Sequence, residues 1–178
     1  KIEQLTLYCL SSENWKRPED EVNDLMGLLR GFIKSDIDEF AANDVRLKII
    51  GNYKVLAPDI VEMIDDALAR TAHNKRTTLA VALNYGSQDE LVRAAQAAAD
   101  EGAITAEAIE RHLDTADMPP LDLLIRTSGE QRLSNFMLWQ TAYAELWFTE
   151  TLWPDFTPAE FDDALSEFGT RERRYGGR

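Results

Sequence analysis

Short apolar runs and longer amphipathic stretches take turns along this chain, and their two periods separate strands from helices. Residues 5–10, Leu-Thr-Leu-Tyr-Cys-Leu, read as a buried strand. After a polar cluster at 11–17, Pro18 stands at a helix start with Glu19, Asp20 and Glu21 behind it. Val22, Leu25, Met26, Leu29, Phe32, Ile33, Ile37 and Phe40 then keep helical spacing to about residue 42. Val45–Ile50 predicts a second strand, closed by Gly51-Asn52, and Pro58 starts a helix with Ile60, Val61, Ile64, Ala67 and Leu68 on one face. Residues 77–84 are a third strand, apolar enough to be buried on both faces. Ser87-Gln88-Asp89-Glu90 has the form of a capping box opening an Ala-rich helix that stops near Gly102. Thr105 caps a short helix, Pro119-Pro120 ends the connection, and 121–126 is a fourth strand. Residues 127–135 form a polar loop, 136–143 an apolar helical stretch and 146–148 a fifth short strand. Thr157-Pro158-Ala159-Glu160 is a second capping box, opening the last helix. No repeat, low-complexity segment or linker interrupts this alternation. It predicts an α/β fold over 1–178, a single domain with a mostly parallel central sheet flanked by helices.

Composition narrows the classes. A length of 178 residues suits one domain, which buries roughly 70% of its unfolded surface without disulfide or zinc. Cys9 is the only cysteine, so no intrachain disulfide forms; this favours a reducing, cytoplasmic setting, with Cys9 expected as a small core residue. The longest apolar run, residues 79–83, falls far short of the roughly 20 residues of a membrane span, and no secretory leader precedes the first strand. The formal net charge of −13 opposes general binding to nucleic acid or anionic lipid. Four of the arginines nevertheless gather at 171–178 beside two glutamates at 167 and 172. Such a local basic site suits a small anionic ligand, although arginines at a helix end also complement its dipole.

In open parallel sheets, ligands bind beyond the carboxyl ends of the strands. Three strands here end in polar clusters, at 11–17, 84–88 and 126–135, and parallel strands would bring all three to one rim. The richest is Arg126-Thr127-Ser128-Gly129-Glu130-Gln131-Arg132-Leu133-Ser134-Asn135. Two arginines, a glycine that lets backbone approach and several hydroxyls suit a phosphate or diphosphate. A helix starting near Asn135 would add its N-terminal amides. The plainer alternative is a loop whose Arg126 and Glu130 pair with each other. Neither GxxxxGK[ST] nor GxGxxG occurs, so neither an ATPase loop nor a dinucleotide site is supported. Asn14 could orient substrate or relay a proton, or simply cap a turn. Glu145 precedes an apolar strand and must either pair with a C-terminal arginine or bind a cation. His73 and His112 have no ligand spacing and are assigned no chemistry.

Several long motifs, in order, carry a resemblance: Ser11-Ser12-Glu13-Asn14-Trp15 with Arg17-Pro18, Asn84-Tyr85-Gly86, the 126–136 loop, Trp139-Gln140, Tyr143-Ala144-Glu145-Leu146, Trp153-Pro154-Asp155-Phe156 and Arg171-Glu172-Arg173-Arg174-Tyr175-Gly176-Gly177. Together they resemble the cis-prenyltransferases, most closely the bacterial undecaprenyl diphosphate synthases. The resemblance implies an α/β homodimer that adds isopentenyl diphosphate units to farnesyl diphosphate with Mg²⁺, building a long-chain polyprenyl diphosphate. The expected product is undecaprenyl diphosphate, a membrane lipid precursor for cell-wall synthesis. It implies that Arg126, Arg132, Leu133 and Ser134 hold isopentenyl diphosphate, that Ser11, Ser12, Glu13, Trp15 and Arg17 border the substrate site, and that Asn14 helps remove the proton after condensation. Glu145 would help bind Mg²⁺, at the neighbouring subunit's site, and 171–177 would lie near the dimer interface. The family grows its product through a tunnel beside the helix matching 18–42, with Leu25, Leu28 and Leu29 as candidate wall residues.

Two departures stand out. Ser87-Gln88 replaces the Gly-Arg common after Asn-Tyr-Gly, which removes a positive charge, so no substrate contact is assigned there. The family's Asp-Gly-Asn-Gly-Arg motif, which supplies an essential Asp, is absent, and a segment preceding Lys1 is expected. An active transferase is one expectation; a non-catalytic partner subunit of the same fold is the other. The lack of DDxxD and the strand pattern disfavour a trans-type synthase.

Overall fold

The structure, a computed structural model, describes residues 2–172. The expected C-terminal role of 173–177 lies outside the described residues. The chain forms two compact units, Lys1–Met118 and Pro119–Arg178.

The first unit is built on a parallel three-stranded sheet ordered β1-β3-β2, with β1 Gln4–Ser11, β2 Val45–Ile50 and β3 Thr77–Tyr85. Two crossover helices, α1 Glu19–Ala42 and α2 Pro58–Thr71, pack against β2. The apolar stripe of α1 explains its placement. Met26, Leu29, Ile33 and Ile37 recur every three or four residues and are all buried. They meet Ile60, Ile64 and Ala67 of α2 and Leu47, Val81 and Leu83 of the sheet. Each large aliphatic side chain so buried contributes roughly 1.5–3 kcal/mol. Ala80 and Ala82 fill the opposite side of β3 and are wholly buried. Helices α3 Ser87–Asp100 and α4 Ala106–His112 pack on each other.

Two expectations are corrected here. Cys9 is exposed, not in the core; among the described residues β1 pairs only with β3 and lies at the edge of the sheet. The capping box at Ser87 does not form: the N-cap is Gly86, without a side-chain bond, and Ser87 and Glu90 turn inward to full burial. The three leucines grouped on α1 separate, for Leu29 is core, Leu25 packs against it, and Leu28 stands 72% exposed on the other side.

The second unit holds a parallel pair, β4 Leu123–Arg126 and β5 Glu145–Phe148, and ends in α5 Pro158–Thr170. Thr157 caps α5 as its sequence predicts, its hydroxyl accepting the Glu160 N–H at 3.3 Å. The helix expected over 136–143 is absent. Bends and turns occupy residues 136–139, and Gln140–Tyr143 winds into a 3-10 turn. The cause is backbone: Ser134, Asn135 and Met137 all adopt positive φ (49°, 61° and 48°), which an α-helix of L-residues cannot accommodate. All five strands are parallel to their neighbours, as an α/β fold requires.

Candidate active site

Beyond the carboxyl ends of β1 and β3, the first unit assembles the first two polar clusters. Ser11 caps a 3-10 turn, Ser12–Lys16: its hydroxyl accepts the Glu13 N–H, while Asn14 Oδ1 accepts the Ser11 N–H at 2.7 Å. Asn14 therefore has the capping task, with its amide nitrogen left for other work. Trp15 leans across to β3, donating its indole N–H to Asn84 Oδ1 at 2.6 Å. Asn84 sits at φ 48°, a conformation Asn tolerates better than most residues. Its amide donates to Asn52 O at 2.9 Å, and the Asn52 N–H returns to Asn84 O at 3.2 Å. Glu13 and Arg17 face solvent, Arg17 with a 3.5 Å contact to Glu21, and Ser12 is half-buried. The parallel sheet thus brings 11–17 and Asn84 together. Asn52 and Asn84 as its cross-links were missed from sequence, where Gly-Asn and Asn-Tyr-Gly register only as strand-end turns.

A buried polar scaffold fixes this rim from below. Glu90, fully buried, accepts the Tyr85 hydroxyl at 2.5 Å and the Asp114 N–H at 2.9 Å. Arg93 forks onto Asp114 at 3.0 and 2.9 Å, and Asp114 also takes the Gly51 N–H at 2.8 Å. A buried carboxylate is tolerable only with such partners. Burial, and then the Glu90 carboxylate beside it, push the Tyr85 phenol far above its ordinary value. Gly51 permits the close approach: at φ 93°, any side chain would meet Tyr85 Cα at 2.9 Å.

In the second unit, Arg126 ends β4 and opens the loop that carries Arg132, Leu133 and Ser134. The alternative of an Arg126–Glu130 pair is not what forms; Glu130 pairs with Arg132 instead. Both side chains of that pair are well exposed, so it is worth little and yields readily to a better anion. Arg126 is half-buried, and its guanidinium has no ion-pair partner among the described residues. With no helix starting at Asn135, the expected helix-terminal amides are missing. Consecutive positive-φ residues stand there instead, Ser128-Gly129 (73° and 69°) and Ser134-Asn135.

Glu145 does pair with a C-terminal arginine: Arg171 Nη1 donates to its Oε2 at 2.9 Å, and Arg171 Nη2 reaches Glu167 at 2.6 Å. Glu167, then Glu145, hold the Arg171 pKa above its usual range. In the strand register Glu145 lies opposite Leu123, while Arg126 lies opposite Phe148. Glu145 is thus at the amino end of the pair, about 10 Å along the strand from the arginine loop's end. Magnesium is usually held by one or two carboxylates, with substrate phosphates and waters completing the shell. No cluster of three or more His, Cys, Asp or Glu forms among the described residues. Only Oε2 of Glu145 is engaged among them. The residues fit an ion completed by substrate rather than a preformed cage.

Comparison with known proteins finds relatives over nearly the whole chain. The family model described as "Putative undecaprenyl diphosphate synthase" matches residues 1–176. An isoprenyl transferase of Zymomonas mobilis is 52% identical over 99% of this chain and 74% of its own length. One from Agrobacterium fabrum is 49% identical over 98% of this chain and 74% of its own. Among solved structures, a probable undecaprenyl diphosphate synthase from Campylobacter jejuni has a TM-score of 0.89 at 37% identity, covering 98% of this chain and 83% of that one. Lavandulyl diphosphate synthase from Lavandula x intermedia, in complex with dimethylallyl diphosphate, has a TM-score of 0.90 at 34% identity, covering 98% and 79%. With parallel strands ending in an arginine loop, and relatives of this identity over nearly its whole length, the chain belongs to the undecaprenyl diphosphate synthase family of prenyltransferases.

Proposed function

We propose that this chain condenses isopentenyl diphosphate with an allylic diphosphate, farnesyl diphosphate, and repeats the step to build a long cis-polyprenyl diphosphate. Undecaprenyl diphosphate for cell-wall synthesis is the product we favour. The observation that carries the reading is the loop after β4. Arg126 has no ion pair among the described residues, and Arg132 is held only by an exposed, weak one. A guanidinium fork grips a diphosphate in two directions at once, which fixes the double bond against the allylic carbon. Ser134 and Leu133 would complete that grip on the polar and apolar sides.

Trp15, Ser11, Ser12, Glu13 and Arg17 would border the substrate, and Asn14 would orient it for loss of the proton. An amide is too weak a base to take that proton alone, so Asn14 acts as a relay or an orienting group. Magnesium, when bound, would offset the charge of the departing diphosphate. Glu145 is the residue that would contribute its carboxylate, in a homodimer at the partner's site. No helix among the described residues is long and apolar enough to cross a membrane. A cytoplasmic enzyme that releases its product to the membrane fits this.

The test is to incubate the full-length protein with farnesyl diphosphate, labelled isopentenyl diphosphate and Mg²⁺, then extract the lipid. Label in a long-chain product supports the reading. Label in a short product narrows it to a short-chain synthase. No incorporation by an intact, folded sample overturns it in favour of a non-catalytic partner subunit.

A further inference from the structure

We propose that Thr149, through Glu160, is a positioning residue for the arginine loop. The inference rests on reading that loop as a diphosphate site. Thr149 follows β5, and its backbone grips the start of the loop from both sides. Its N–H donates to Arg126 O at 3.0 Å, and its carbonyl accepts the Gly129 N–H at 2.8 Å. Two residues on, Thr151 O accepts the Ser128 N–H, also at 2.8 Å. The amides so held belong to Ser128 and Gly129, the consecutive left-handed pair that turns the chain out of β4. A serine at φ 73° persists only where its surroundings over-determine it.

What fixes the grip is a side chain. The Thr149 hydroxyl donates to Glu160 Oε1 at 2.6 Å, and its oxygen accepts the Thr151 N–H at 3.2 Å. Thr149 and Glu160 are both half-buried. Glu160 is itself seated, its N–H held by the Thr157 cap in the first turn of α5. A charge-assisted bond from a helix end to Thr149 therefore orients the backbone that makes two of the three hydrogen bonds shaping the turn between Arg126 and Gly129. Because Arg126 lies at one end of that turn and Arg132 three residues past the other, the aim of both guanidinium groups depends on it. Neither Thr149 nor Glu160 needs to touch substrate.

The test compares full-length wild type with Thr149→Val, which keeps the shape and loses the hydroxyl, and Thr149→Ser, which keeps the hydroxyl. Glu160→Ala removes the acceptor. Thr149→Val and Glu160→Ala should each raise the KM for isopentenyl diphosphate by about tenfold, the size of one hydrogen bond to a charged group. The KM for farnesyl diphosphate should stay within about twofold, and Thr149→Ser should resemble wild type. Equal rises in both KM values, or a Thr149→Ser as impaired as Thr149→Val, would overturn the proposal. A second readout is independent of turnover. Amide exchange at Ser128 and Gly129 should quicken in Thr149→Val but not in Thr149→Ser, while the β4–β5 amides stay protected. Unchanged exchange at those two amides overturns the latch even if the enzyme is active. Should wild type bind no isopentenyl diphosphate at all while the exchange pattern holds, the functional reading fails and the latch stands.

Discussion

Arg132 gives up very little by being where it is. Its pairing with Glu130 joins two exposed groups within one loop, a contact that contributes at most about 1 kcal/mol. A diphosphate offers more charge and a bidentate geometry, so the pair should open on binding. Arg132→Ala should therefore raise the KM for isopentenyl diphosphate and lower kcat/KM by at least ~10²-fold, about 2.7 kcal/mol of transition-state stabilisation. Steady-state kinetics on the variant checks this, and near wild-type values would remove Arg132 from the site. At this scale the sequence was informative about which residue types gather, and less so about their partners. That Glu145 needs an arginine follows from a carboxylate beside an apolar strand; that the arginine is Arg171 depends on where α5 ends. The choice of Arg132 over Arg126 as the partner of Glu130 turns on positive φ at Ser128 and Gly129, and only the glycine hints at that in the sequence.

Among the elements, α1 was legible because four core residues repeat at helical spacing and its three-residue acidic first turn suits a helix start. Its outer side was not. Gly27 and Gly31 lie mid-helix beside exposed Leu28, and a Cβ on either glycine would meet nothing within 4 Å. Gly31→Ala should therefore stabilise the protein by roughly 0.5–1 kcal/mol through helix propensity, measured as a raised urea midpoint at constant slope. A loss of stability would mean that something outside the described surface covers that side. Leu28→Trp tests the same side functionally. If it lines the growing chain's path, the folded variant should make shorter product; an unchanged length distribution would leave Leu28 as plain surface. The stretch 136–143 shows where element reading breaks down. Phe136, Met137, Leu138 and Trp139 look helical by composition, yet Met137 is buried at φ 48°. Tertiary packing there overrides propensity, and nothing in a methionine announces it.

For the whole chain, charge sets the response to acid. With 32 acidic and 19 basic residues, relief of self-repulsion on acidification would by itself favour the folded state. The carboxylates of specific pairs argue the other way. Arg30 beside Asp59, Lys54 beside Asp65, His112 beside Glu101 and Arg171 beside Glu167 hold those acids below their ordinary values. A depressed folded pKa means that the folded state binds fewer protons. Its stabilisation is present above the ordinary carboxylate range and lost as pH falls through the lower folded values. Chemical denaturation from pH 7 to pH 3 should accordingly show the urea midpoint falling below about pH 4.5. A midpoint that rises on acidification would show that global repulsion dominates.

Strand order is the other whole-chain feature the sequence left open. Alternating strands and helices imply parallel pairing, but which crossover places β3 between β1 and β2 is decided by packing. Among the described residues that order leaves β1 at an edge, with Cys9 exposed.

The loop after β4 is proposed to hold a diphosphate. Titrating isopentenyl diphosphate into the full-length protein by calorimetry, beside the Arg126→Ala/Arg132→Ala double variant, tests it without relying on turnover. Wild type should bind with a defined stoichiometry, and the double variant should weaken binding by at least ~10²-fold while its melting temperature stays close to wild type. Equal affinity in the two folded proteins would contradict the account, placing the diphosphate somewhere other than this loop.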